Sequence, residues 1–302
     1  MSHISVLLAP ILDYLLPADR IIDGTLGAGG HSAALLEAGA GEILGLDLDP
    51  MALAIAREKL APYGERAHIV HASYATMTEQ AQQLGWKKVD GILLDLGLSS
   101  MQLDVAERGF AFMRDGPLDM RFDPAGGRPS AADIVNGWDE AELADLFYKY
   151  GEDPNGRKLA RLVVNNRPYH TTRDLAGVIE KAMPRRKGDK IHPATRVFQA
   201  LRIAVNDELG IIERVLPQAI DLLQPGGRLA VISFHSLEDR LVKQAFKLAS
   251  TDCICPPKMP VCVCGHKASV TALTRKPVIA DEAEMAQNPR SRSAKLRVVE
   301  KL

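Results

Sequence analysis

Apolar positions in the first hundred residues come as short runs: Ile21-Ile22, Ile43-Leu44-Gly45-Leu46, His68-Ile69-Val70 and Ile92-Leu93-Leu94. Runs of this length bounded by Gly, Pro and Asp read as strands, and the longer mixed stretches between them as helices. The run over 89–97 is apolar enough to be buried on both faces, the habit of a parallel sheet. Pro50 opens a helix predicted to reach Leu60, at the one position where its missing N–H costs nothing. Residues 4–13 read as an amphipathic helix. The alternation stops at 109–205, where helical patterns are divided by the turn clusters Gly116-Pro117, Asp123-Pro124-Ala125-Gly126-Gly127 and Asp153-Pro154-Asn155-Gly156. Here the pattern predicts helices over 138–150 and 157–166, one capped by Thr172, and a long one from Pro193. In that last helix Phe198, Leu201, Val205, Leu209, Ile212 and Leu216 form a single apolar stripe. Beyond it the pattern predicts a helix end and turn over 222–228, a strand over 229–234 and a helix over 237–248. Strand-like pieces at 270–273 and 295–299 suit an antiparallel edge hairpin. The prediction is α/β: a sheet domain split between 1–108 and 206–302, with an all-helical insert at 109–205.

At 46% hydrophobic residues the chain can bury a full core, and its net charge of −1 conceals a lopsided insert. Residues 109–155 hold 4 Lys/Arg against 10 Asp/Glu, a net of −6; residues 156–205 hold 12 against 3, a net of +9. The second block, with Lys181, Arg185, Arg186, Lys187 and Lys190 bunched, is the footprint of a phosphate-bearing partner. Residues 266–302 add a net of +4, including Arg290, Arg292, Lys295 and Arg297. No apolar run is long enough for a transmembrane helix, and the N-terminal stretch lacks the basic flank and cleavage signal of a leader. The expected compartment is therefore the cytoplasm. Cys253, Cys255, Cys262 and Cys264 form one cluster whose C-x-C pairs are tighter than most zinc ribbons. Such a cluster is either an exposed loop of free thiols, the reading preferred here, or a metal site; no metal ligand is assigned.

The chemistry starts at Ile21-Ile22-Asp23-Gly24-Thr25-Leu26-Gly27-Ala28-Gly29-Gly30-His31-Ser32. A strand, a glycine turn and a helix in succession are the opening of a Rossmann-like nucleotide site. Asp47 ends the second strand at the distance where an acid takes both hydroxyls of an adenosine ribose. Either a nicotinamide dinucleotide or S-adenosylmethionine (SAM) could use such a site. The loop lacks the G-x-G-x-x-G spacing that clears room for a pyrophosphate, and Asp23 suits the ammonium of SAM, so SAM is favoured. Tyr74, at the end of the third strand, is placed either to stack on an adenine or to serve the core. Asp95 ends the fourth strand. Ligands of open parallel sheets bind beyond the carboxyl ends of the strands, so the loop, Asp47, Tyr74 and Asp95 share one rim.

Several longer motifs resemble one family. They are His3-Ile4-Ser5-Val6-Leu7-Leu8, the 23–32 loop, residues 91–103, 108–112 and 116–121, Tyr150-Gly151-Glu152, and residues 192–203, 233–243 and 288–298. Leu118-Asp119-Met120-Arg121, His192-Pro193-Ala194-Thr195-Arg196 and Ser233-Phe234-His235-Ser236-Leu237-Glu238-Asp239-Arg240 are the most particular. Together they are similar to the bacterial small-subunit ribosomal RNA methyltransferase H group, which N4-methylates a cytidine of the decoding site. The chain departs at Leu26, Ala28, Ala111 and Phe122; Ala28 leaves one cofactor-loop cation missing. The resemblance implies a Rossmann-like SAM-dependent methyltransferase, with SAM contacts at Gly29, Gly30, His31, Asp47, Tyr74, Asp95 and Gln102. It implies 16S rRNA as substrate, within the small ribosomal subunit, held in part by the insert.

An exocyclic cytosine amine is a poor nucleophile because its lone pair is delocalised into the ring. It needs acceptors for its N–H protons and close positioning beside the methyl donor. Asp95 is the first candidate, either on the cofactor or on the amine. Ser99, Ser100 and His235 are candidates for orienting the base, His235 being equally readable as a helix cap. A stacked cytosine must be drawn out to be reached, and Phe110 or Phe198 could stack on it, though Phe198 fits a core better. The rivals are a nicotinamide oxidoreductase, a non-catalytic RNA-binding protein and a small-molecule methyltransferase.

Overall fold

The apolar runs become one seven-stranded sheet. In the computed structural model, which describes residues 5–184, 191–256, 259 and 261–302, the strands are β1 (Arg20–Asp23), β2 (Glu42–Asp47), β3 (Ala67–His71), β4 (Val89–Asp95), β5 (Leu223–Ser233), β6 (Val270–Ala272) and β7 (Lys295–Lys301). Their order is β3-β2-β1-β4-β5-β7-β6. The first five are parallel, and β7 runs antiparallel to both β5 and β6. From β1 the chain winds outward through β2 and β3, then returns to lay β4 on the other side. That reversal opens a crevice at the carboxyl ends of β1 and β4.

The chain divides into two compact units, Met1–Gly97 with Leu209–Leu302, and Leu98–Glu208. The first carries the sheet. Alternate residues supply its two faces: Ile22, Leu44, Leu46, Leu94 and Val231 pack with Trp86, Ile212 and Leu216, while Ile21, Ile43, Leu93, Ala230 and Ile232 pack with Ile11, Leu15, Leu35 and Leu53. Each such side chain, fully buried, contributes roughly 1.5–3 kcal/mol. The helix predicted from Pro50 to Leu60 forms over those residues, and Asp49 caps it by accepting from the Met51 N–H at 3.0 Å.

The second unit is built from helices, among them Ala131–Gly137, Glu140–Lys149, Gly156–Asn165, Thr172–Ala182 and Thr195–Asn206. Phe147, Leu159, Val163, Tyr169, Leu175, Ile179 and Leu201 form its core. The unit begins at Leu98, upstream of the expected residue 109, because Leu98 and Leu103 pack on that core.

Local chemistry moves several boundaries. The helix expected over 138–150 starts at Glu140, because the Asp139 carboxylate takes the Glu142 N–H at 2.8 Å and Glu142 returns the bond. Thr171, one residue before the predicted Thr172, is the cap of its helix, in the same reciprocal arrangement with Asp174. The long stripe from Phe198 to Leu216 is two helices. Asp207, at φ +52°, ends Thr195–Asn206, and Glu208–Leu222 follows. Phe198, Leu201 and Val205 serve the second unit's core, and Ile212 and Leu216 the first's. Toward the C-terminus, β5 begins at Leu223, ahead of the expected 229, with a register jump between Val89 and Gly91. Strands β6 and β7 pair as expected at the sheet edge, with the helix Glu282–Gln287 between them in sequence.

Candidate functional site

Three neighbouring strands each end in an aspartate: Asp23 on β1, Asp47 on β2 and Asp95 on β4. The glycine loop between β1 and the helix Gly30–Glu37 is sewn to the two flanking strands. Gly24 N–H donates to Leu93 O and Leu26 N–H to Leu46 O, both at 2.9 Å. Gly27 N–H reaches Asp47 Oδ2 at 2.7 Å, and Asp95 N–H reaches Thr25 Oγ1 at 2.6 Å. Two glycines are indispensable to this arrangement. A Cβ on Gly24 would lie 2.6 Å from Leu94 Cδ2 and 3.0 Å from Tyr74 Cβ. Gly29, the residue before the helix, has φ +73°, a left-handed conformation that costs a side chain.

The acids differ in how their oxygens are used. Asp23 is buried, accepting from Ser32 Oγ at 2.7 Å and from Thr25 N–H at 3.2 Å. Burial nonetheless pushes its pKa up to about 6. Asp47 accepts from Gly27 N–H and, at 2.8 Å, from Asp49 N–H, and burial raises its pKa against both bonds. Asp95 is pushed up to about 6, first by burial and then by the charges of Asp23 and Glu238, against an opposing pull from His31. Its Oδ1 is buried and has no hydrogen-bond partner among the described residues. Its Oδ2 lies 3.8 Å from His31 Nδ1. His31 is itself buried, with Nε2 2.9 Å from Val6 O. A carbonyl only accepts, so Nε2 carries the proton and Nδ1 is the nitrogen turned to Asp95.

Carboxylates whose pKa burial has raised are out of balance without a cation, because ionisation in a low-dielectric site is costly unless a positive charge answers it. The donor and acceptor set therefore fits SAM: a sulfonium and an ammonium for the acids, and two ribose hydroxyls for Asp47. It is the wrong set for a pyrophosphate, which is itself an anion.

The remaining sequence-predicted residues separate into several environments. Tyr74 lies just beyond β3, in a short 3-10 turn rather than in the strand, half-buried against the core and beside Gly24. His235 follows the carboxyl end of β5 and caps the helix Ser236–Ala249. Its Nε2 lies 2.9 Å from Oε1 of Glu238, a fully buried carboxylate whose Oε2 accepts from the Phe234 and His235 N–H groups. Ser99 and Gln102 belong to the second unit, where they answer each other: Ser99 N–H donates to Gln102 Oε1 at 3.0 Å, and Gln102 N–H to Ser99 Oγ at 3.2 Å. Phe110 and Phe198 are buried in the second unit's core, which removes both as stacking platforms in this conformation.

Thr25, Ser32 and Glu238 complete the first unit's site and were not singled out from the sequence. Only Glu238 carried a signal, as the third residue after a potential cap.

The basic block of 156–205 is smaller as a surface than as a sum. Arg167 donates to Val135 O and Trp138 O, Arg202 makes a two-pronged pair with Glu208, and Arg196 lies 3.8 Å from Asp153. Arg157, Lys158, Arg173 and Lys181 are exposed. Arg185, Arg186, Lys187 and Lys190 lie outside the described residues. In the first unit Arg297 is buried against Asp239, which Lys295 also meets, whereas Arg290 and Arg292 are exposed.

Two relatives match nearly the whole chain. A ribosomal RNA small subunit methyltransferase H of Nitratidesulfovibrio vulgaris is 51% identical over 99% of this chain and 86% of its own. The protein of the same name from Thermomicrobium roseum is 50% identical over 100% of this chain and 94% of its own. Among solved structures, an rRNA methylase from Streptococcus thermophilus superposes with a TM-score of 0.44 at 10% identity, covering 98% of this chain and 93% of that one. The model of one family matches residues 1–302, its whole length, so the chain belongs to the MraW methylase family.

Proposed function

We propose that this protein is a SAM-dependent methyltransferase that modifies 16S ribosomal RNA of the small subunit, placing a methyl on N4 of a decoding-region cytidine. The relatives' names support the RNA and the reaction class. The observation that carries the cofactor is the buried, unpartnered Asp95 Oδ1 at the mouth of a glycine loop flanked by two further acids.

In this reading SAM supplies an activated methyl on a sulfonium. Asp47, held by two backbone N–H groups, keeps lone pairs for the ribose hydroxyls. Gly29 and Gly30 bring bare backbone against the ligand, and Tyr74 offers a flat face for the adenine. Asp23 and Asp95 supply the negative charge that a cationic ligand answers. His31, fixed by Val6 O, lines the rim beside Asp95. Asp95 also has the chemistry to accept an N–H of the target amine, which lets the nitrogen lone pair leave conjugation with the ring. His235 and Ser99 are proposed to orient the base, and Gln102 to contact the cofactor. Exposed Arg157, Lys158, Arg173 and Lys181 contribute to holding the RNA backbone. The site of action is the cytoplasm, and no helix among the described residues is long and apolar enough to cross a membrane.

Calorimetry with SAM, its demethylated product and NADH tests the cofactor; heat with the first two and none with NADH is expected. Incubation of small subunits, or of their naked RNA, with labelled SAM, followed by nucleoside analysis, is expected to yield N4-methylcytidine. Binding of RNA without methyl transfer would leave a non-catalytic RNA-binding protein. No heat with SAM would overturn the reading as a whole.

A further inference from the structure

The four cysteines converge. Cys253 Sγ lies 3.5 Å from Cys262 Sγ and 3.8 Å from Cys264 Sγ, and Cys262 and Cys264 are 3.6 Å apart. Cys255 joins them, all four sulfurs lying within 4.8 Å of one another. These separations are far too long for disulfide bonds, and all four residues are free thiols. They match another geometry. A tetrahedral ion with metal–sulfur bonds of ~2.3 Å sets its sulfurs about 3.8 Å apart along each edge.

Nothing apolar accounts for the convergence. The loop runs over 250–269, between the helix Ser236–Ala249 and β6, a length at which connections seldom hold a shape unaided. The side chains interleaved with the cysteines face solvent: Ile254 is 52% exposed, Val261 69% and Val263 74%. Among its described residues the loop has no core of its own. Its ends are tied down where Ser269 N–H donates to Ala249 O at 2.8 Å and His266 Nε2 meets Leu248 O at 2.9 Å. The four sulfurs, grouped without a histidine or carboxylate among them, are the donor set. The Val263 N–H donates to Cys255 Sγ at 3.4 Å, the bond that steadies a thiolate.

We propose that Cys253, Cys255, Cys262 and Cys264 bind one zinc ion as a closed, structural site. Four soft thiolates in a tetrahedron select zinc over hard cations. With all four positions filled by protein, no coordination site is left for substrate, so the ion clips the loop and takes no part in catalysis. Binding releases the thiol protons to solvent, four per ion if all four thiols start protonated. Of the two readings open in the sequence, the convergence favours the metal site over the loop of free thiols.

The test is the metal content of the full-length, untagged protein purified without chelators. About one zinc per chain is expected by plasma mass spectrometry, falling to background in the Cys253→Ser/Cys262→Ser variant. That variant is expected to keep its far-ultraviolet dichroism, since the loop lies outside both cores. A second readout needs no variant: after zinc removal, added cobalt is expected to give the thiolate charge-transfer and visible bands of a tetrahedral four-sulfur site. Wild-type protein that carries no zinc and takes up neither zinc nor cobalt would overturn the proposal. So would iron in place of zinc, zinc retained by the double variant, or two disulfides found in protein purified without air.

Discussion

Replacing Asp95 by Asn removes a charge that the fold tolerates at a cost. Burial lifts this carboxyl from the ordinary 3.8 to about 6. A shift of ~2 units places a penalty of about 3 kcal/mol on the ionised form. That penalty is net of an opposing pull from His31, 3.8 Å away. Asp95→Asn is therefore expected to raise unfolding free energy by ~1–3 kcal/mol at pH 7.5, a rise in Tm on the order of 3–8 °C. The sign follows from the raised folded pKa. As pH falls through 6, wild-type Asp95 takes up a proton in the folded state and sheds the penalty, while the unfolded chain stays ionised down to 3.8. The variant's advantage is thus full above about pH 7, roughly half at pH 5 and gone near pH 4. Equilibrium urea unfolding of both proteins at pH 7.5 and pH 5 measures it, and calorimetry is expected to show weakened SAM binding in the more stable protein. The result pairs a stability gain with a functional loss, as expected where a site holds strain for its ligand. A variant less stable than wild type at pH 7.5, or a gain that ignores pH, refutes the account of Asp95.

Asp47→Asn turns an acceptor carboxylate into an amide, and loss of charge-assisted bonds to the ribose is expected to weaken SAM binding about 10- to 100-fold by titration calorimetry. Arg202→Ala takes from Glu208, which is 5% exposed, the guanidinium that pairs with it at 2.8 and 2.9 Å; unfolding free energy is expected to fall by about 1.5–3 kcal/mol, and Arg202→Lys, lacking the planar fork, to recover only part of it. Thr171→Ala opens the capping box of Thr172–Ala182 and is expected to cost about 1 kcal/mol in urea unfolding, whereas the same change at Thr172 tests hydrogen bonds to Gly116 and Arg114 instead.

What the chain's residues determined by themselves is whatever near neighbours decide. Strands β1, β2 and β4 are legible because runs such as Ile92-Leu93-Leu94 have no exposed face to offer, and the glycine loop because only glycine suits φ +73° at residue 29. Asp47 and Asp95 are legible because a carboxylate closing an apolar strand has few structural uses. Tertiary structure decided what depends on distant partners. The stripe from Phe198 to Leu216 keeps its helical period across Asp207, so no local pattern marks where one core hands over to the other. The charge of 156–205 sums to +9 in sequence, yet Arg167 and Arg202 spend theirs inside the second unit, on partners tens of residues away or beyond the next turn. The raised pKa of Asp95 exists because the assembled sheet buries its carboxyl, with Asp23 on the neighbouring β1 and Glu238 adding to the shift. Two C-x-C pairs stand apart until the loop folds back and brings their four sulfurs within 4.8 Å of one another. Period and propensity are properties of a segment, whereas burial, charge balance and ligand geometry arise between segments, and the fold alone brings those together.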